Sequence, residues 1–136
     1  MAGTIKWNSL LALARLGDNN ALNIVLEKVK KAGVNDDVVD ALFPDLIYTQ
    51  QRRAFDYLVS VLYSDDANCQ SPDPESSSTM NCACRVIEML APIIKDFPLK
   101  VEPGGDLATD NYLSALITVR DWFKLHPRYE IVPLFN

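Results

Sequence analysis

Histidine is almost absent from this chain: His126 is the one such residue among 136. A zinc ligand set or a hydrolase triad built on imidazole would have to recruit that single ring. No nucleophile elbow, Walker loop, dinucleotide glycine fingerprint or zincin helix accompanies it. Its place in Leu125-His126-Pro127, in the last turn of a helix against the negative end of the dipole, accounts for it structurally. Glycine is sparse, at five residues, and with eight prolines the two together stay far below collagen-like or low-complexity levels, which excludes such chains. No uninterrupted apolar run approaches the roughly 18–20 residues that cross a bilayer. The opening Met1-Ala2-Gly3-Thr4-Ile5-Lys6-Trp7-Asn8 lacks a basic segment followed by an apolar stretch and a small-residue cleavage site. A soluble, cytoplasmic protein without membrane contact is expected.

Positive charge is also short. Thirteen Lys and Arg face eighteen Asp and Glu, a net charge of −5, which argues against nucleic acid as the main ligand. The charge is uneven: residues 1–33 carry five basic and two acidic side chains, residues 34–78 two and nine, and residues 79–136 six and seven. The acidic middle suits either solubility or a basic partner.

What is present is a globular composition, 49% hydrophobic and 23% charged, in a length suited to one domain that buries about 68–70% of its extended-chain surface. Apolar residues recur at helical spacing and nowhere alternate strictly for long, so the expected class is all-α. Six helices are predicted, over about 5–17, 19–32, 36–48, 50–64, 79–96 and 106–125. Thr4 is a candidate N-cap for the first, and Gly17-Asp18 stops it. Gly33 stops the second, with Lys28, Lys30 and Lys31 suited to its C-terminal dipole. Pro44 should bend or break the third near Leu42-Phe43, and Pro92 should kink the fifth, whose face is Cys82, Val86, Met89, Leu90 and Ile93. The sixth presents Tyr112, Leu116, Val119 and Phe123 until Pro127 forbids continuation. Residues 65–78, with Pro72, Pro74 and Ser76-Ser77-Ser78, read as a flexible loop, and 127–136 as an extended, docked tail.

The chain repeats itself. A shift of 33 residues sets Leu10 on Phe43, Leu13 on Leu46, Ala21 on Ala54, Leu22 on Phe55, Val25 on Leu58, Leu26 on Val59 and Val29 on Leu62. The match lies in apolar positions, as it must when each repeated helix pair buries one face on its neighbours. Ala21 and Ala54 each follow the interhelical turn, where a missing side chain lets two helices approach.

The stretch Leu10-Leu11-Ala12-Leu13-Ala14-Arg15-Leu16-Gly17-Asp18-Asn19-Asn20-Ala21-Leu22 closely resembles the HEAT repeat, in which an Ala/Leu-rich helix ends in Leu-Gly-Asp before Ala and a leucine-lined second helix. The copy around Leu46 to Phe55 departs from the motif, with Gln50-Gln51 in place of Gly-Asp. Helices five and six make a third, divergent pair. The resemblance implies a single domain over 1–136: a short right-handed α-α superhelix, HEAT/armadillo-like, of about six helices in three antiparallel pairs. Second helices line its concave surface. Such arrays serve mostly as protein-binding scaffolds.

On that frame the concave candidates are Asn23, Glu27 and Lys30 on the second helix and Asp56, Tyr57, Ser60 and Tyr63 on the fourth. Tyr57 and Tyr63 stand at the margin of the apolar face, where tyrosine favours interface hot spots. The expected function is a non-catalytic scaffold or adaptor that binds a protein partner, with no cofactor and no metal. An alternative is a small acidic inhibitor or immunity-type protein that masks a basic surface with residues 36–66, through Asp36, Asp37, Asp40, Asp65 and Asp66. HEAT-like enzymes acting on DNA or a chromophore are a third class, but the mixed charge of the concave candidates is unlike a basic DNA groove. Cys82 and Cys84 lie about 200° apart around a helix, which disfavours one shared metal ion. Cys69 is placed to bridge to either of them, whereas a cytosolic setting favours three reduced thiols. The first helix, apolar at Ile5, Trp7, Leu10, Leu11, Leu13 and Leu16 with Asn8 and Arg15 on a narrow polar arc, predicts an uncovered array end. Another subunit, the tail or further protein would cap it.

Overall fold

Helix-forming patterning between strong stops dominates the computed structural model, which describes residues 2–65, 68–70, 79–100, 102 and 111–133, with the backbone alone at residues 2–5 and 79. The described residues form seven helical segments and one pair of two-residue strands. None of those helices is long and apolar enough to cross a membrane. The chain divides into two compact units, Met1–Leu58 and Val59–Asn136.

In the first unit, α1 (Ala2–Arg15) and α2 (Asn19–Ala32) are joined by a tight turn. Gly17 adopts φ +99°. Its N–H donates to the Ala14 carbonyl at 3.0 Å, and that of Asp18 donates to the Leu13 carbonyl at 3.0 Å. These are the two bonds of a Schellman stop, which needs a left-handed residue. Asp18 then caps α2, its carboxylate accepting from the Ala21 N–H at 2.9 Å. The N-cap of α1 is not Thr4, because α1 already runs from Ala2. The two helices pack along Leu11, Ala14, Ala21, Leu22, Val25 and Val29, all buried.

Helices α3 (Asp36–Ala41) and α4 (Phe43–Tyr48) replace one predicted helix, split at Leu42 beside Pro44. A proline lacks the N–H that a continuous helix needs, yet fits the first turn of a new one. Helix α4 ends at Thr49, a buried residue whose hydroxyl donates to the Leu46 carbonyl at 2.7 Å. Gln50 follows at φ +56°, so it takes the left-handed position that Gly17 takes 33 residues earlier. The two turns are linked directly: Arg15 donates to the Tyr48 carbonyl at 3.0 Å, and the Gln51 amide donates to the Arg15 carbonyl at 3.3 Å. Helix α5 (Arg52–Val61) is shorter than the predicted 50–64 and spans the division between the units. Leu13 of α1 and Leu16, which follows its last residue, remain 45% and 83% exposed.

In the second unit, β1 (Cys69–Gln70) pairs antiparallel with β2 (Thr79–Met80), Cys69 opposite Met80. A disulfide joins Cys69 to Cys82, and Cys84 is free and buried. One expectation is thereby corrected: the cysteines are not all reduced. Of the predicted 65–78 loop, Cys69 and Gln70 pair with Thr79 and Met80 just beyond it, while residues 66–67 and 71–78 lie outside the described residues. The fifth helix is α6 (Cys82–Leu90) and not 79–96: Thr79 and Met80 are drawn into the ladder, and Pro92 withholds the donor that would extend the far end. The last helix, α7 (Tyr112–Leu125), is capped by Asn111, which accepts from the Ser114 N–H at 3.0 Å. Its predicted start at Asp106 falls outside the described residues, as does the end of the tail, 134–136. α6 and α7 pack through Val86, Ile87, Leu90, Leu116, Val119 and Phe123. The tail docks: Ile131 bridges Ile94, the Lys95 N–H donates to the Glu130 carbonyl at 3.0 Å, and the Val132 N–H donates to the Ile93 carbonyl at 2.8 Å.

Candidate partner-binding site

Helix α2 buries Leu22, Val25, Leu26 and Val29, and the same 3.6-residue period leaves Asn23, Glu27 and Lys30 exposed on its opposite side. Together with Leu26, Lys31 and Arg53 they line an open groove of about 360 Å³. Arg53 donates to the Asn23 side-chain carbonyl. Glu27 pairs with Lys31 at 3.5 Å, both well exposed, a pair of little energetic weight. The Lys30 ammonium lies 5.6 Å from the centre of the Tyr57 ring, which in turn meets Phe43 edge-on at 6.1 Å. Burial pushes the Tyr57 hydroxyl above its ordinary pKa. Three cations against one carboxylate make this groove locally basic in an acidic chain.

The predicted residues therefore divide. Asn23, Glu27 and Lys30 come together, and Tyr57 joins them through Lys30. Asp56 is exposed and held by Arg52 at 3.2 Å. Ser60 and Tyr63 belong to the second unit. There the Tyr63 hydroxyl donates to the Arg120 carbonyl at 2.8 Å, and Lys124 stands 5.9 Å from its ring. Tyr63 is also raised in pKa, chiefly by burial, with Arg120 lowering it and Asp121 raising it. Of the acidic alternative set, Asp37 and Asp40 are exposed on α3, Asp36 is half-buried in its first turn, and Asp65 is tied to Arg120 at 2.9 Å. Asp66 lies outside the described residues.

Sequence reasoning missed Arg53. The signal was there: it immediately precedes Ala54, the small residue that the 33-residue shift sets on Ala21. Also missed was a hollow of about 510 Å³ in the second unit, beside Trp122 and His126. His126 caps α7, and its Nδ1–H donates to the Trp122 carbonyl at 2.8 Å. Among the described residues no His, Cys, Asp and Glu group could hold a metal ion. The Cys84 thiol is pushed up in pKa by burial, then lowered by Arg120 and raised by Glu88, which suits a packing role over a nucleophilic one. No family model, curated protein or solved structure matches this chain.

Proposed function

We propose that this chain is a non-catalytic protein-binding module of the HEAT-like α-solenoid kind, and that it captures a partner in the groove lined by α2 and the start of α5. The observation that carries this reading is the convergence of Lys30, Lys31 and Arg53 around Asn23 and Leu26, beside the half-buried Tyr57 ring. Leu26 as an apolar contact, three cationic donors with Arg53 held on Asn23, and an aromatic margin suit a protein segment bearing a carboxylate. The repeat reading is supported by the left-handed pair Gly17 and Gln50, by the burial of both Ala21 and Ala54, and by the contact between Arg15 and Tyr48, which are themselves 33 residues apart.

The test is capture of partners by the wild type and by Lys30→Glu/Arg53→Glu, each followed by mass spectrometry and thermal melting. Proteins held by the wild type should be lost from the double variant while its melting point stays nearly unchanged, since exposed substitutions cost about 0.5 kcal/mol or less. Alanine at Asn23, Glu27, Asp56, Tyr57, Ser60 or Tyr63 sorts binding from packing in the same way. Unchanged capture by the double variant refutes the groove. The acidic-inhibitor reading rests on exposed Asp37 and Asp40; it predicts instead that Asp37→Asn/Asp40→Asn removes a salt-sensitive association. Exposed Leu13 and Leu16 support self-association through α1, which sedimentation of Leu16→Glu checks. The Cys69–Cys82 bond supports an oxidising compartment over the cytoplasm.

A further inference from the structure

The hollow of the second unit, about 510 Å³, falls within the usual range of small-ligand sites, roughly 300–1,000 Å³. Among its lining residues is a ring stack: the His126 and Trp122 ring centroids are 4.2 Å apart and the planes 14° from parallel. Trp122 also meets Phe123 at 5.1 Å and Phe97 at 6.2 Å, centroid to centroid. The docked tail also lines it, at residues 127–130, with Tyr129 buried against Phe123 at 5.3 Å. Backbone hydrogen bonds between residues 93–95 and 130–132 tie that tail to the segment carrying Lys95 and Asp96.

The charges around this surface are balanced and differently engaged. Lys95 and Glu130 neutralise each other at 3.2 Å. Asp96 and Arg128 line the same hollow and make no hydrogen bond or ion pair among the described residues. Asp96 is also held at φ +61°, a left-handed conformation that Asp adopts more readily than most residues. The end of α7 lines the hollow at Leu125 and His126, so its negative dipole adds to Asp96 as an attraction for a cation. A phosphate would meet two carboxylates here, and a simple cation would meet Lys95 and Arg128.

We propose that this hollow binds a small zwitterion with a planar ring, an aromatic α-amino acid: carboxylate on Arg128, ammonium on Asp96, ring against Trp122 and His126. This inference is independent of the partner groove.

The full chain holds two tryptophans, so their indole N–H signals, assigned with Trp7→Phe, report the two units separately by NMR. Titration with L-phenylalanine should move the Trp122 signal saturably, with a Kd of about 1 mM or tighter, and leave Trp7 still. Arg128→Gln and Asp96→Asn should each weaken binding about tenfold or more, the loss expected for one charge-assisted contact; Asn also keeps the left-handed turn at position 96. Phenylacetate should respond to Arg128→Gln alone and phenethylamine to Asp96→Asn alone. The proposal is overturned by the absence of a saturable shift, by L-alanine matching L-phenylalanine, or by binding indifferent to both substitutions.

Discussion

Replacing Arg120 by alanine isolates one side chain that closes the end of α5. Its Nε donates to the Leu62 carbonyl, and Nη2 donates to the Ser64 carbonyl at 3.0 Å and to Asp65 Oδ1 at 2.9 Å. The Arg120 side chain is 19% exposed and that of Asp65 83%. The ion pair therefore contributes about 1 kcal/mol or less, whereas each carbonyl contact from a charged donor contributes about 1.5 kcal/mol, the low end for charged groups at this partly exposed place. Arg120→Ala should cost about 2–3 kcal/mol, Arg120→Lys about half of that, and Asp65→Ala under about 1 kcal/mol. Urea titration in a Trp7→Phe background follows Trp122 alone, within the same unit. With a slope of about 1–3 kcal/mol per molar urea, the Arg120→Ala midpoint should fall by about 0.7–3 M. If Asp65→Ala costs as much as Arg120→Ala, or if high salt abolishes the difference, the carbonyl-closing role is wrong.

Three other outcomes follow from the same structure. Alkylation under non-reducing conditions should label one thiol, Cys84, after unfolding, and reduction of the Cys69–Cys82 bond, 13 residues apart, should cost about 3 kcal/mol in the chain-entropy model; three labelled thiols contradict this. Gln50→Gly should stabilise by about 0.5–1 kcal/mol in thermal melts, because relief of a left-handed side chain exceeds the loss of the Gln50 amide bond to the Ile47 carbonyl. A burial-raised Tyr57 favours the neutral phenol in the fold, so its contribution is complete below the ordinary tyrosine pKa of about 10 and is lost as pH rises through the higher folded value. Urea midpoints should fall above about pH 10, less steeply in Tyr57→Phe, and a rise there would contradict the burial argument.

The helical class was legible because apolar spacing and stops agree: Leu-Gly-Asp before Ala21 names both the Schellman turn and the N-cap, and Pro44 marks the break at Leu42. Gln50 was not legible as a left-handed residue, since nothing in its side chain prefers that region; its neighbours impose it. Thr79 and Met80 continue a helical pattern, so only their pairing with Cys69 and Gln70 removes them from the helix. The choice of Cys82 over Cys84 depends on which face of α6 meets β1, a distance that spacing alone leaves open. Half of the α2 groove could be read from periodicity, because its residues share one helix. The Trp122 hollow could not, since residues 95–96, 122–126 and 127–130 meet only through the docked tail.

The sulfur link between residues 69 and 82 also alters what a protease can accomplish. A single cut anywhere in the intervening stretch would leave the two fragments covalently tethered, running as one species until a reductant parts them. For this chain, nicking and separation are distinct chemical events, and a gel without thiol would record neither.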